Sequence, residues 1–246
     1  MNSDLNTIAF AENSVLWLLR RPWAMLVGVL VLLVLIVCDS QATPPAGPFT
    51  QISAGGSHTC GVQRDGTVAC WGENDDGQAT PPAGSFTQVS AGGAHTCGVK
   101  SDSTVACWGK NNNGQATPPA GFFTQVSAGV GHTCGVQRDG TIACWGANDD
   151  GQATPPVSPF IQVSAGYFHT CGVQRDGIIV CWGKNKYGPS TPWVGWAGTF
   201  TQVSASGSHT CGLKRDGTVA CWGNNHFGEA APPAGLFNPG QCEPHS

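Results

Sequence analysis

The sequence predicts an all-β fold, a β-propeller of about five three-stranded blades of 37 residues, preceded by one N-terminal hydrophobic helix. Three observations carry this. His58, His95, His132 and His169 recur every 37 residues and His209 follows after 40, with Phe49, Phe86, Phe123, Phe160 and Phe200 in the same phase. Within each repeat, short alternating segments are bounded by glycine, the pattern of strands and turns. Charged residues are 11% of the 246-residue chain, against roughly 25% in an ordinary soluble domain. With 35 glycines and 17 prolines, that composition suits turns rather than the charged faces of long helices.

The N-terminus comes first in order. Ala24–Val37 is an unbroken apolar run between Arg20-Arg21 and Cys38-Asp39. Residues 22–38 sit at the lower length limit for a spanning helix, and the two flanking arginines hold the preceding end in the cytoplasm. Residues 1–21 are then a cytoplasmic segment or signal n-region, and 22–38 a transmembrane signal-anchor or a removable signal peptide. "LIVC" before Asp39 also resembles the lipobox of bacterial lipoproteins, although Val37 departs from the small residue expected there. Every one of these readings exports residues 39–246. The expected location is therefore membrane-anchored and facing the periplasm or cell exterior, or secreted if the signal is cleaved.

Residues 39–48 hold a partial copy, "QATPPAG", and a linker; 49–235 hold five full units; 236–246 form a C-terminal tail. In each unit "FTQVSAG" alternates as a strand would, and "HTCGVQ" and "TVACWG" are two more strands joined by "RDG". A glycine after Asp suits a type I turn with an αL residue at Gly66. That register sets Gln63 opposite Thr67, Val62 opposite Val68 and Cys60 opposite Cys70. "ENDDGQATPPAG" is a turn-rich connection in which Pro81-Pro82 forbids helix and interior strand alike.

Three antiparallel strands per repeat are what radial stacking into a propeller requires. A helical solenoid needs a 3.6-residue apolar period that is missing here, and a β-helix needs parallel pairing. "AGGSHTCGV", "DGTVACWG" and "NDDGQ" resemble the regulator of chromosome condensation repeat family over residues 49–235. The resemblance implies a β-propeller, usually of seven blades. The compact unit looks more like that of a secreted β-lactamase inhibitor propeller than the longer eukaryotic units. Two departures stand out: only five full units are present, and each carries a cysteine pair. An open arc leaves unpaired strand edges that invite association, so a closed or nearly closed ring is expected over an open arc, with oligomers possible if the propeller is open.

The cysteine pairs are Cys60 with Cys70, Cys97 with Cys107, Cys134 with Cys144, Cys171 with Cys181 and Cys211 with Cys221, each spaced by ten. Facing positions on antiparallel strands fall within disulfide reach, and an exported chain would keep such bonds. Zinc held by His58, Cys60 and Cys70 and free thiols are the alternatives, but familiar zinc sites pair cysteines two to four residues apart. Relatives keep the histidine without the cysteines, which implies a structural role for it. Ser53, His58 and Asp65 also recur in nearly every unit, whereas an active site is a single asymmetric constellation. No catalytic residue, metal or cofactor is therefore assigned. "NDDG" at 74–77 raises calcium, but without a ladder of further ligands it reads as an Asx turn.

Residues 39–246 carry 9 − 13 = −4 once Arg20, Arg21, Asp4 and Glu12 are removed, with no basic run, which speaks against nucleic acid. Recognition is expected where the copies disagree: just before each histidine, and in the turn after each Trp-Gly pair at Asp75-Asp76, Asn112-Asn113, Asp149-Asp150, Lys186-Tyr187 and His226-Phe227. Units four and five collect Tyr167, Phe168, Tyr187, Trp193, Trp196, His226 and Phe227 in irregular segments. The expected function is a non-enzymatic, extracytoplasmic binding module for a protein or glycan. The alternatives are a secreted hydrolase inhibitor and a nucleotide exchange regulator of a small GTPase.

Overall fold

The computed structural model of the chain describes residues 45–185, 188, 189 and 199–231. The hydrophobic segment 22–38 and the tail 236–246 lie outside these described residues.

Each unit folds as an independent antiparallel sheet of three strands. The first blade is β1 (Phe49–Ala54), β2 (His58–Gln63) and β3 (Val68–Gly72); the second is β4 (Phe86–Ala91), β5 (His95–Lys100) and β6 (Val105–Gly109). The third is β7 (Phe123–Ala128), β8 (His132–Gln137) and β9 (Ile142–Gly146); the fourth is β10 (Phe160–Ala165), β11 (His169–Gln174) and β12 (Ile179–Gly183). The fifth is β13 (Phe200–Ala205), β14 (His209–Lys214) and β15 (Val219–Gly223). A bulge after the leading phenylalanine recurs in every first strand and adds local twist.

The hairpin turn sets the register. Gly66 lies at φ 87°, its N–H donates to Gln63 O at 2.9 Å, and Asp65 Oδ1 accepts the Thr67 N–H at 2.9 Å. Val62 then faces Val68 and Cys60 faces Cys70. The same register sets Cys97 opposite Cys107, Cys134 opposite Cys144, Cys171 opposite Cys181 and Cys211 opposite Cys221. All five pairs are disulfide-bonded, with Cα atoms 4.0–4.1 Å apart, so the zinc and free-thiol alternatives fall away. Within each bond the two sulfurs differ in setting. Cys97 and Cys171 on the middle strands are fully buried, whereas Cys107 and Cys181 on the third strands are only half-buried. In the second blade Ser103 takes the turn glycine's place at φ 72°, a conformation that strains any residue with a Cβ.

A three-stranded blade has no core of its own, so the apolar surface is buried between blades. Cys60 and Val62 pack against Phe86, Val89 and Trp108 of the second blade. The same set recurs at the next three interfaces. Polar clamps fix the spacing: Gln51 Nε2 donates to Val89 O at 2.9 Å while its Oε1 accepts Val89 N–H at 2.9 Å. Gln88, Gln125 and Gln162 grip Val126, Val163 and Val203 in the same way. At Gly55 the approach is so close that a Cβ would stand 2.4 Å from Gly92 O.

These contacts repeat the same turn from blade to blade, and five turns do not bring β14 back to β1. A fully closed ring is therefore not formed among the described residues, whose first and fifth blades keep uncovered faces; a nearly closed ring and an open arc share that feature. Ile52 is 61% exposed, whereas its counterparts Val89, Val126, Val163 and Val203 are buried. At the other end Gln202 and Ser204 are exposed, and Cys211 and Leu213 are only half-buried.

Candidate functional site

Strand polarity brings the two divergent places of each unit to one end of the propeller. His58 at the start of β2 pairs with Gly72 at the end of β3, and Glu73 N–H donates to Ser57 O at 2.9 Å. The "RDG" turns lie at the opposite end. The two divergent places thus share one end, while the opposite end keeps "RDG" in four units and "SDS" in the second.

The recurring histidine sits beneath this end as part of the inter-blade framework. His58 Nε2 lies 2.7 Å from Thr96 Oγ1 of the second blade, and that hydroxyl donates to Gln78 O at 3.0 Å. With its proton committed to the carbonyl, the hydroxyl accepts from the ring, which assigns the neutral Nε2–H tautomer. The chain repeats through His95–Thr133–Gln115, His132–Thr170–Gln152 and His169–Thr210–Pro189. Nδ1 of His58, His95 and His132 is buried without a partner among the described residues, so a second ring proton would have no acceptor there. Burial holds His95, His132 and His169 down to about 4. A histidine locked neutral between two blades is scaffold, and the disulfide beside it leaves neither cysteine a thiolate to offer. The "NDDG" turn is likewise held by its own chain: Asn74 Oδ1 accepts Ala79 N–H at 2.8 Å and Gln78 Oε1 accepts Asp76 N–H at 2.9 Å.

Two cavities open on the divergent end. One, of about 410 Å³, lies on the axis, where the small residues that close each first strand converge, from Ala54 and Gly55 round to Ala205 and Ser206. The other, of about 380 Å³, lies between the fourth and fifth blades and is lined by Tyr167, Phe168, His169, Lys184, Pro189 and Ser208. Tyr167 borders both. It is 54% exposed and Phe168 43%, their rings meeting edge to face with centroids 6.3 Å apart. Tyr167 lies over Gly207, within van der Waals reach of a Cβ placed there. Lys184 Nζ stands 4.7 Å over the Phe168 ring and 3.9 Å from Asp150 Oδ2.

Of the aromatic residues singled out in the sequence, Tyr167 and Phe168 form this cleft. His226 and Phe227 pair with each other at 4.7 Å in the loop after β15, with Phe227 88% exposed. Tyr187, Trp193 and Trp196 lie outside the described residues. Lys184 was missed. It follows Trp182-Gly183 directly, at a position held by Glu73, Lys110, Ala147 and Asn224 in the other units. The divergent places read from the sequence begin two residues further on, past the invariant asparagine, at Lys186-Tyr187 in this unit; a scan begun directly after Gly183 would have found it.

Comparison with known proteins agrees with this architecture. The family described as "Regulator of chromosome condensation (RCC1) repeat" matches residues 49–78, 86–115, 123–152, 160–188 and 200–229. No curated protein sequence matches the chain. Among solved structures, the CRINKLY WD40 ectodomain of the Arabidopsis thaliana receptor kinase ACR4 is 29% identical, with a TM-score of 0.58 over 71% of this chain and 65% of that one. The ectodomain of the Physcomitrella patens receptor kinase CR4 is 26% identical, with a TM-score of 0.58 over 75% of this chain and 51% of that one. Prp20p of Saccharomyces cerevisiae is 16% identical, with a TM-score of 0.64 over 74% of this chain and 59% of that one, a likeness of fold. The chain thus spans less than two thirds of the length of each.

Proposed function

The chain belongs to the regulator of chromosome condensation repeat family, and we propose that its disulfide-stapled propeller is a non-enzymatic module that binds a protein or glycan at the divergent end. One observation carries the reading. The cleft between the fourth and fifth blades presents two exposed aromatic rings and an ammonium group around a cavity of about 380 Å³. Exposed aromatic rings flanking a cavity are where binding energy concentrates in protein interfaces, and they stack on the apolar faces of sugars as well.

An extracytoplasmic setting belongs to the same proposal. Five disulfides persist only under oxidising conditions, and the 29%-identical structure is a receptor kinase ectodomain. The apolar segment 22–38 would tether the module there.

The test is capture of partners from a native envelope extract, run alongside a glycan array. Tyr167→Ala with Phe168→Ala should reduce binding at least about tenfold while the ten disulfide-bonded cysteines stay unreactive to alkylation. Tyr187→Ala with Trp193→Ala tests in the same way two further aromatic residues of the connection after β12. Undiminished binding by the Tyr167 and Phe168 variant would remove the cleft as the site, and undiminished binding by all four substitutions together would remove the aromatic residues of the fourth unit altogether.

A further inference from the structure

Four interfaces in the arc are built from one set of contacts, and the two end faces carry the unmatched halves of a fifth. We propose that a second copy of this chain docks head to tail, its first blade against the fifth blade of its neighbour.

The complementarity can be traced position by position. At a filled interface the leading blade supplies a glutamine clamp, a serine hydroxyl, a histidine Nε2 and the disulfide with its neighbouring valine. On the fifth blade these are Gln202, Ser204, His209, Cys211 and Leu213, which are exposed or half-buried. The following blade supplies phenylalanine, valine, the alanine N–H, the threonine hydroxyl and tryptophan. On the first blade these are Phe49, Ile52, Ala54, Thr59 and Trp71, likewise exposed or half-buried. Thr96, Thr133, Thr170 and Thr210 are fully buried under the preceding blade's histidine; Thr59, in the same register, is not.

One residue sets the strength of the junction. Gly55, Gly92, Gly129 and Gly166 each stand where a Cβ would come within 2.3–2.4 Å of the next blade's carbonyl oxygen. The fifth blade has Ser206 at this position. Its Cβ holds an incoming blade slightly off the closest approach, which makes the junction weaker and reversible where the other four are permanent. The interface is heterologous, so it either extends or closes only as its rotation allows.

Sedimentation of the full chain in detergent micelles tests this, with the N-terminal segment common to every variant. The wild type should associate as its concentration rises. Ile52→Arg on one face or Ser204→Arg on the other should each weaken association at least about hundredfold. Both positions are solvent-exposed, so the fold is not at stake. An equimolar mixture of the two variants retains one good junction per pair and should form a one-to-one dimer. Ser206→Gly should tighten wild-type association about tenfold. A wild type that stays monomeric at every concentration would overturn the proposal, since some other surface or chain would then own these faces. So would a mixture that fails to dimerise, or a Ser206→Gly variant that associates no more tightly.

Discussion

The inner interfaces and the two end faces are made from nearly the same residues, yet they have different physical lives. Phe123 and Phe49 both pack on their own blade's tryptophan, with centroids 6.0 and 5.9 Å apart, but Phe123 is also buried against the preceding blade's Cys97 and Val99, whereas Phe49 is half-buried. Gln125 holds both backbone groups of Val163; Gln202 faces solvent. The lesson is that a blade's residues have no fixed energetic worth. Their contribution belongs to the junction with a neighbour, as expected for quasi-one-dimensional repeats whose stability is a sum of nearest-neighbour terms.

Substitution of the leading phenylalanine exposes that contrast most strongly. Phe123→Ala should destabilise by about 3–5 kcal/mol in denaturant titration, the usual cost of emptying a packed aromatic site. Phe49→Ala should cost less than half as much; equal losses would mean that the end face is covered. Disulfide removal comes next. Each bond closes a short loop worth about 2.5–3 kcal/mol by chain entropy. Cys134→Ala with Cys144→Ala should lose that plus the packing around fully buried Cys134, while the pair Cys211→Ala and Cys221→Ala should lose only the first part. Under mild reductant, alkylation with mass mapping should find Cys211–Cys221 opening ahead of the inner pairs, Cys97 with Cys107 and Cys171 with Cys181 among them.

The glutamine clamps give a smaller difference. Gln125→Ala strands the N–H and carbonyl of Val163 and should cost about 1–3 kcal/mol, whereas Gln202→Ala should lie within about 0.5 kcal/mol of wild type. Titration of the inner histidines adds a pH-dependent difference that the end faces lack the burial to show. His95, His132 and His169 titrate at about 4 in the fold and near 6.5 when unfolded, so between these values the unfolded chain binds more protons. Stability is complete above about pH 6.5 and falls as the pH drops towards 4, by up to about 1.4 kcal/mol per unit for each histidine. His132→Gln should make the measured slope shallower by about one such share near pH 5.

Much of this architecture can be read from residue order because its causes are local. The Asp-Gly turn at Asp65-Gly66 sets the hairpin register, and the register alone brings Cys60 opposite Cys70. The aromatic pair Tyr167-Phe168 was visible because five copies supply their own baseline of glycine, alanine and serine at those positions. Lys184 escaped notice because its partner, Phe168, is brought to it by the pairing of β11 with β12, across a separation that no single loop shows.

Blade number, strand boundaries, hairpin register and the places where the copies diverge follow from the amino-acid order, since each depends on interactions within one unit. Closure does not. It depends on the angle at which one blade meets the next, and that angle is decided by glutamine clamps, histidine–threonine contacts and glycine approaches between residues some 38 positions apart. Only the packed structure could show that five such steps leave two matching faces open, and that Ser206 stands where four glycines permit the tightest approach.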